Sequence, residues 1–351
     1  MKQLNSTALK VDQDRISILD QTRLPNQEIW LEIPDPDAMV GAIRRLSVRG
    51  APLISIAACV SLALHAAKIE SEGVSGDEFA INIRETAERL RESRPTAVNL
   101  MLALDRMVFR VAPESLSTAH LIATAERIFE DDLALCEAIA THGQQVIEDG
   151  DAILTHCNTG GLGTTGIGTA IGVIRKAHEL GKRIHVYVDE TRPLLQGGRL
   201  TTWELDRAGV PYTLICDNMA AGLMRDGKIQ RAIVGADRVA LNGDFANKTG
   251  TYSVAVLCDY HRVPFYCAAP FTTVDPECAN GDTIPIELRD GDEVRGFAGT
   301  GLVWSPAECQ VYNPAFDVTP GKLLTGLILD SGYYPSDAIE AGALTELFAP
   351  G

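Results

Sequence analysis

The 351-residue chain has no Cys-x-x-Cys pair and no His-Glu-x-x-His motif. Its eight cysteines are scattered singly. Neither a zinc site nor a disulfide framework is therefore indicated, and reduced thiols in a cytoplasmic protein are the simplest account. Basic residues are also in short supply. Against 47 Asp and Glu there are 31 Lys and Arg, a net charge of −16. That balance argues against a nucleic-acid surface, because phosphate backbones require clustered cations. A small phosphorylated ligand is not excluded, since it needs only a few local cations and N–H donors. The first seven residues lack the apolar core of a signal peptide. The best membrane candidate, Leu53–Ala67, is short and interrupted by Ser55, Ser61 and His65. It reads as a buried helix, so no membrane partner is expected. There is no internal repeat and no low-complexity segment.

What is present falls into two grammars, and two domains are expected, 1–148 and 149–351. Residues 2–33 read as a few short strands joined by turns at Pro25-Asn26 and Pro34-Asp35. Helical spacing follows to about Gly150. Asp37 is placed to cap a helix through Leu46, another helix covers 53–69, and Phe79, Ile83, Ala87 and Leu90 mark one over 77–93. Arg94-Pro95-Thr96 breaks that helix, and a further one runs to about Val111. Residues 117–148 read as one long helix or a broken pair. The N-terminal part is thus a smaller domain of short strands and a helical bundle.

From Asp151 onward, apolar runs at 152–157, 184–189, 212–217, 232–237 and 264–269 alternate with helical segments at 166–180, 200–208, 219–225 and 249–262. Nearly continuous apolar runs suit parallel strands buried on both faces. The rhythm predicts an α/β fold with a Rossmann-like, doubly wound parallel sheet. In such sheets ligands bind beyond the carboxyl ends of the strands. Those ends present Cys157, Asp189-Glu190-Thr191-Arg192, Asp217-Asn218 and Asp237-Arg238. Asp217-Asn218 can be explained as helix N-caps. Asp237 is harder to explain that way, because 238–244 reads as a loop.

The stretch Cys157-Asn158-Thr159-Gly160-Gly161-Leu162-Gly163 joins a thiol to a glycine loop ahead of a helix. Such a loop suits an anion, and a helix N-terminus lowers a thiol pKa. The same stretch holds Gly161-x-Gly163-x-x-Gly166, with Asp189 or Glu190 as the acid that a dinucleotide fingerprint wants about 20 residues on. That fingerprint fits poorly, because four residues separate the strand from its first glycine. Cys216 and Cys267, set inside strands, read as small buried hydrophobes. Arg49 and Arg94 lie in loops beside Gly50 and Pro95, which favours anion binding over surface pairing.

These residues carry a resemblance to the methylthioribose-1-phosphate isomerases. It runs through Asp20–Pro25, Val48-Arg49-Gly50-Ala51-Pro52, Ser93–Leu100, Cys157–Leu162, Asp189–Gly197, Asp217–Ala221, Val234–Arg238, Ala246–Tyr252 and Tyr312–Pro320. Nearly the whole chain is covered, in the family's order. The resemblance implies a cofactor-independent aldose–ketose isomerase of methionine salvage, with no metal, acting as a homodimer. Its substrate is 5-methylthioribose 1-phosphate and its product 5-methylthioribulose 1-phosphate. The positions matching the catalytic pair are Cys157 and Asp237. Substrate contacts fall on Arg49, Gly50, Ala51, Arg94, Gln196, Asn247 and Lys248, with Gly160 and Gly161 in the phosphate loop. The chain departs from the family at Gly163-Thr164-Thr165-Gly166-Ile167-Gly168, where alanine and an aromatic residue are more usual.

The chemistry fits these residue types. An anomeric phosphate blocks spontaneous ring opening, so a general acid must protonate the ring oxygen. An aspartate ordinarily titrates near about 3.9, so Asp237 must be held protonated by an apolar site. Transfer from C2 to C1 then goes as a proton, with Cys157 as base, or as a hydride; the sequence leaves both open. Gln196 suits a sugar hydroxyl, and its loop suits a lid. An isomerase of ribose 1,5-bisphosphate or 5-deoxyribose 1-phosphate, a nicotinamide-dependent dehydrogenase and a non-catalytic regulatory subunit stand as alternatives.

Overall fold

Alternation of apolar and polar residues over the first 33 positions builds an antiparallel sheet in the computed structural model, which describes residues 1–94, 98–297 and 301–348. Its strands are β1 (Leu4–Asn5), β2 (Leu9–Asp12), β3 (Arg15–Leu19) and β4 (Trp30–Ile33), paired in that order. Leu9 and Val11 point inward while Lys10 and Asp12 face solvent, as a period of two requires. Helices α1 (Pro36–Arg44), α2 (Ala51–Ser71), α3 (Gly76–Arg91), α4 (Val98–Leu104) and α5 (Thr118–Gly143) follow. The cap of α1 is Asp35, not Asp37: its carboxylate accepts from the Ala38 N–H at 2.8 Å. Pro36 occupies the first turn, where its missing N–H costs nothing. Helix α2 is long and apolar enough to cross a membrane, yet it is largely buried against its neighbours, as the Leu53–Ala67 reading expected. Residues 117–148 form one helix, α5, ending in a short 3-10 turn rather than a broken pair.

The chain divides into two compact units. The first comprises 1–136 together with 160–168, and the second 137–159 with 169–351. The division therefore falls within α5, twelve residues before the expected boundary after residue 148, and the first unit reclaims the glycine loop from the middle of the second.

The second unit is built on β5 (Ala152–Thr155), α6 (Ala170–Glu179), β6 (His185–Asp189), α7 (Thr202–Arg207), β7 (Tyr212–Ile215), α8 (Ala220–Arg225) and β8 (Arg231–Val234). There follow β9 (Arg238–Val239), β10 (Phe245–Lys248), α9 (Thr251–His261), β11 (Phe265–Ala268), β12 (Gly296–Phe297), β13 (Leu302–Val303), β14 (Phe316–Thr319), β15 (Gly326–Leu329) and β16 (Gly332–Pro335). Seven strands form the main sheet in the order β16-β15-β11-β8-β5-β6-β7, all parallel except the β15–β16 pair. Successive residues of its central strands enter opposite apolar layers. Leu154, Ala232, Val234, Phe265 and Cys267 join one, and Ile153, Val186, Ile233, Tyr266 and Ala268 the other. A sheet buried on both faces gives the continuous apolar runs seen in the sequence.

Three features depart from expectation. Of residues 238–244, expected as a loop, 240–244 form a turn, but Arg238 and Val239 are a short strand that pairs with β10 in a hairpin, and β10 pairs with β14 in a small second sheet. Helix α6 starts at Ala170 rather than near Gly166, so a longer loop follows Cys157. Strands β15 and β16 extend the main sheet beyond the five anticipated.

Candidate active site

Strand order fixes where chemistry can gather. From β5 the chain steps outward to β6 and β7, then returns to lay β8 on the opposite side of β5. The crevice of a doubly wound sheet opens at such a reversal, beyond the carboxyl ends of the two strands. Those strands here are β5, followed by Cys157, and β8, followed by Asp237. They are hydrogen-bonded neighbours, with Leu154 opposite Ala232. The loops beyond them also meet: a Cβ on Gly235 would lie 2.3 Å from Thr159 Cγ2, so only glycine fits there.

Cys157 is buried, 7% exposed, and has φ 66°, left-handed backbone that a cysteine seldom adopts. Thr191 and Leu195, in the loop after β6, share that conformation, at φ 64° and 55°. Each such residue costs on the order of 1 kcal/mol or more and persists only where its surroundings dictate it. The dictating contacts are specific. The Cys157 N–H donates to Thr191 Oγ1 at 2.8 Å, and Thr201 Oγ1 donates to the Cys157 carbonyl at 2.6 Å. The next residue, Asn158, donates to Glu204 Oε1 at 2.8 Å, inside the protein. Asp217 is not the N-cap its position suggested. Its carboxylate accepts the backbone N–H groups of Thr191 and Arg192, both at 2.7 Å, and so holds the second strained loop.

Asp237 is half-buried, and its N–H donates to the Ala246 carbonyl at 2.8 Å, tying it to β10. Its charge reaches Cys267 on β11, whose thiol pKa is raised first by burial and then by this carboxylate. Asn247 and Lys248 are the next residues on β10, and both are buried. Asn247 donates to Thr251 Oγ1 at 2.9 Å, while the Lys248 ammonium sits 5.6 Å from the centre of the Phe316 ring. Gln196 is buried in the loop after β6, and its Oε1 finds no hydrogen-bond partner among the described residues. An acceptor left so is costly unless a ligand supplies the donor. The residue after it, Gly197, has no room for a Cβ, which would lie 1.8 Å from the Asp189 carbonyl oxygen. A loop pinned by Asp217 and packed this tightly gives no support to the lid expected around Gln196.

In the first unit, a different set converges. Gly50 caps α2 with φ 90°, and a Cβ there would meet Gly163 Cα at 2.5 Å. The Leu53 N–H donates to the Gly163 carbonyl at 3.1 Å. Arg49-Gly50-Ala51 and the glycine loop therefore lie against each other, and the helix N-terminus that meets this loop is that of α2. Gly161 packs on Thr7, its neighbour Leu162 accepts from Gln21 Nε2 at 2.7 Å, and Gly160 bridges to Gly168. Buried Asp132 on α5 holds the far side, accepting from the Thr165 N–H and hydroxyl at 2.6 and 2.8 Å. Gln21 and Asp132 have no marker in the sequence that ties them to residues over thirty positions away. Arg94 follows the end of α3; Pro95, Thr96 and Ala97 of its motif lie outside the described residues.

His156, which precedes Cys157, is 1% exposed. Its Nδ1 lies 2.9 Å from Asp189 Oδ2 and its Nε2 3.0 Å from the Thr249 carbonyl. Burial disfavours its charge, but the bond to Asp189 and the charges of Asp189 and Asp217 outweigh that, and its pKa is raised. Ligand atoms of His156, Asp189 and Asp217 lie within 4.8 Å of one another, the nearest approach to a metal-binding set among the described residues. Both histidine nitrogens and both Asp217 oxygens are already engaged, so the group reads as an ion-pair network.

Comparison with known proteins agrees with this architecture. Residues 47–336 match the Initiation factor 2 subunit family. A methylthioribose-1-phosphate isomerase of Enterobacter sp. (strain 638) is 52% identical over 344 residues, covering 97% of this chain and 98% of the relative. The crystal structure of 5-methylthioribose 1-phosphate isomerase from Pyrococcus horikoshii OT3 superposes with a TM-score of 0.88 at 37% identity, over 98% of this chain and 96% of that one. A second structure, described as translation initiation factor eIF-2B subunit delta from A. fulgidus, gives 0.84 at 36% identity, over 97% and 100%.

Proposed function

Because the chain belongs to the methylthioribose-1-phosphate isomerases within the Initiation factor 2 subunit family, we propose that it interconverts 5-methylthioribose 1-phosphate and 5-methylthioribulose 1-phosphate. What supports this reading is the position of Cys157 and Asp237 in the loops just beyond β5 and β8, neighbouring strands at the sheet's reversal point. Asp237 protonates the ring oxygen as the bond from C1 to that oxygen breaks. Hydrogen then moves from C2 to C1. In a proton route, Cys157 thiolate takes it from C2 and returns it to C1; in a hydride route it migrates directly. In both, the proton of the C2 hydroxyl goes back to Asp237 as the ketone forms, so the acid is regenerated and no cofactor is consumed.

Arg49, Gly50, Ala51 and Arg94 take substrate, with Gly160 and Gly161 offering backbone N–H groups to the phosphate. Lys248 and Asn247 bind beside Asp237, and the unpartnered Gln196 Oε1 receives a sugar hydroxyl. The pathway is methionine salvage and the compartment the cytoplasm. The oligomer is a homodimer, a reading supported by Tyr252, Val256 and Tyr260, exposed four residues apart along α9. Light scattering on the purified chain at a mass of one subunit would remove that part.

One assay tests the whole reading. Methylthioribose 1-phosphate, 5-deoxyribose 1-phosphate and ribose 1,5-bisphosphate compete for the wild-type enzyme, beside Cys157→Ser and Asp237→Asn. Preference for the methylthio sugar, lost in both variants, is expected; preference for the bisphosphate overturns the substrate. Run in deuterated water, the same reaction separates the routes, since deuterium at C1 of the product requires the proton path.

A further inference from the structure

The His156 network has no part in the chemistry above, yet it joins the segment that carries Cys157 to the end of β6 and to the turn after β10. Its ring bonds a carboxylate at one nitrogen and a carbonyl at the other. A carbonyl cannot donate, so Nε2 carries a proton; burial raises the Asp189 pKa, and while that carboxylate is ionised Nδ1 carries a proton as well. The ring also lies close against a backbone that leaves room for it. Gly250 has φ 110°, and a Cβ there would lie 2.7 Å from His156 Cε1. The Gly250 N–H in turn donates to Asp317 Oδ2 at 2.7 Å, and Tyr252 N–H to Asp317 Oδ1 at 3.2 Å. Thr249 Oγ1 donates to the Pro314 carbonyl at 2.6 Å. The turn after Asn247-Lys248 is thereby fixed on one side by β14 and on the other by a single imidazole.

We propose that His156 is a positioning residue: by donating from both ring nitrogens, to Asp189 and to the Thr249 carbonyl, it couples the strained backbone of Cys157 to the strand end that carries Asn247 and Lys248. The proposal rests on the reading that these residues form the isomerase site. The charges facing the ring come from three elements: Asp189 at the end of β6, Asp217 after β7 and Asp317 on β14. All are acidic, which retains the second proton. Asp189 Oδ1 has no hydrogen-bond partner among the described residues, so the imidazolium is the counter-charge for that buried carboxylate. With both contacts made, the residue next to Cys157 cannot rotate without breaking a bond to β6 or to the turn after β10.

The test uses the full-length enzyme. In His156→Gln, kcat falls about 100-fold while KM changes by less than about threefold, because a displaced thiol alters the chemical step more than binding. His156→Gln/Asp189→Asn removes the uncompensated carboxylate, so Tm recovers while kcat stays low. Recovery of kcat together with Tm shows a purely structural role and overturns the proposal, as does near-wild-type kcat in the single variant. If the single variant does not fold, wild-type enzyme labelled with 15N-histidine decides. A buried histidine protonated at both nitrogens at about pH 8 supports the clamp, and its absence overturns it. Cys157→Ser in the same assay separates the two layers: full activity there sinks the site reading itself, whereas an inactive Cys157→Ser beside an active His156→Gln sinks only the positioning role.

Discussion

The two units hold their candidate residues by opposite means. In the second, side chains matter, and the backbone is forced to suit them: Cys157 and Thr191 are driven into left-handed conformations and locked by Thr201, Asp217 and a buried ion pair. In the first, backbone matters, and side chains are removed to let it approach: Gly50 meets Gly163 where no Cβ could stand. A reactive thiol needs a fixed Cβ direction, which strain and clamps supply. An anion cradle needs bare N–H groups close together, which glycine supplies.

Substitutions can break that contrast. The largest effect falls on Cys157→Ala and Asp237→Asn, where loss of an acid or base costs about 10²–10⁴ in kcat. Steady-state assays with folding checked by circular dichroism measure it. Next comes Gly197→Ala. A methyl 1.8 Å from the Asp189 carbonyl must displace the loop, costing on the order of 3 kcal/mol in urea unfolding and lowering kcat. Gly50→Ala costs about 2 kcal/mol by strain and crowding, but with the proposed phosphate donors displaced it should raise KM rather than lower kcat. If both glycine variants changed the same parameter, the contrast between the units would fail.

The pH dependence of stability is smaller. The folded pKa of His156 is raised by Asp189 and Asp217 against burial. Its stabilisation is therefore complete below the unfolded value of about 6.5 and is lost as pH climbs through the folded value. The Tm advantage of wild type over His156→Gln should shrink as pH rises, as scanning calorimetry can measure. Smallest of all is the surface pair Arg183–Asp149. Its carboxyl titrates at about 2 because Arg183 hydrogen-bonds it, yet Arg183→Ala should leave Tm unchanged within error. NMR titration would see that carboxyl return toward the ordinary range.

Much of this was legible in the residues. Apolar runs located five of the parallel strands; β5, β8 and β11 read most clearly because burial on both faces leaves no polar alternation, whereas β7 lies at the sheet edge and is largely exposed. Strand ends exposed Cys157 and Asp237, since a thiol and a carboxylate stand out against such runs. Other features were not legible. Hairpin β9–β10 pairs a two-residue strand with one ending Asn247-Lys248, too short and too polar to announce itself. Asp217 resembled a helix cap because capping and loop-holding use the same side chain at the same distance from a strand; only the partner N–H groups of Thr191 and Arg192 tell them apart. Asp35 and Asp37 were equally good caps by type, and Pro36 decided between them by occupying the first turn.

By itself, then, the sequence determined the α/β class and the succession of the main parallel strands, because these follow from hydrophobic period, and its motifs named Cys157 and Asp237 as candidates. The tertiary structure decided the order of the strands across the sheet, and so made the ends of β5 and β8 neighbours. It also brought the glycine loop against the N-terminus of α2, and enclosed His156 between Asp189 and Thr249. Each of these joins residues tens of positions apart, and which distant groups come together is settled by packing and hydrogen-bond satisfaction, not by local spacing.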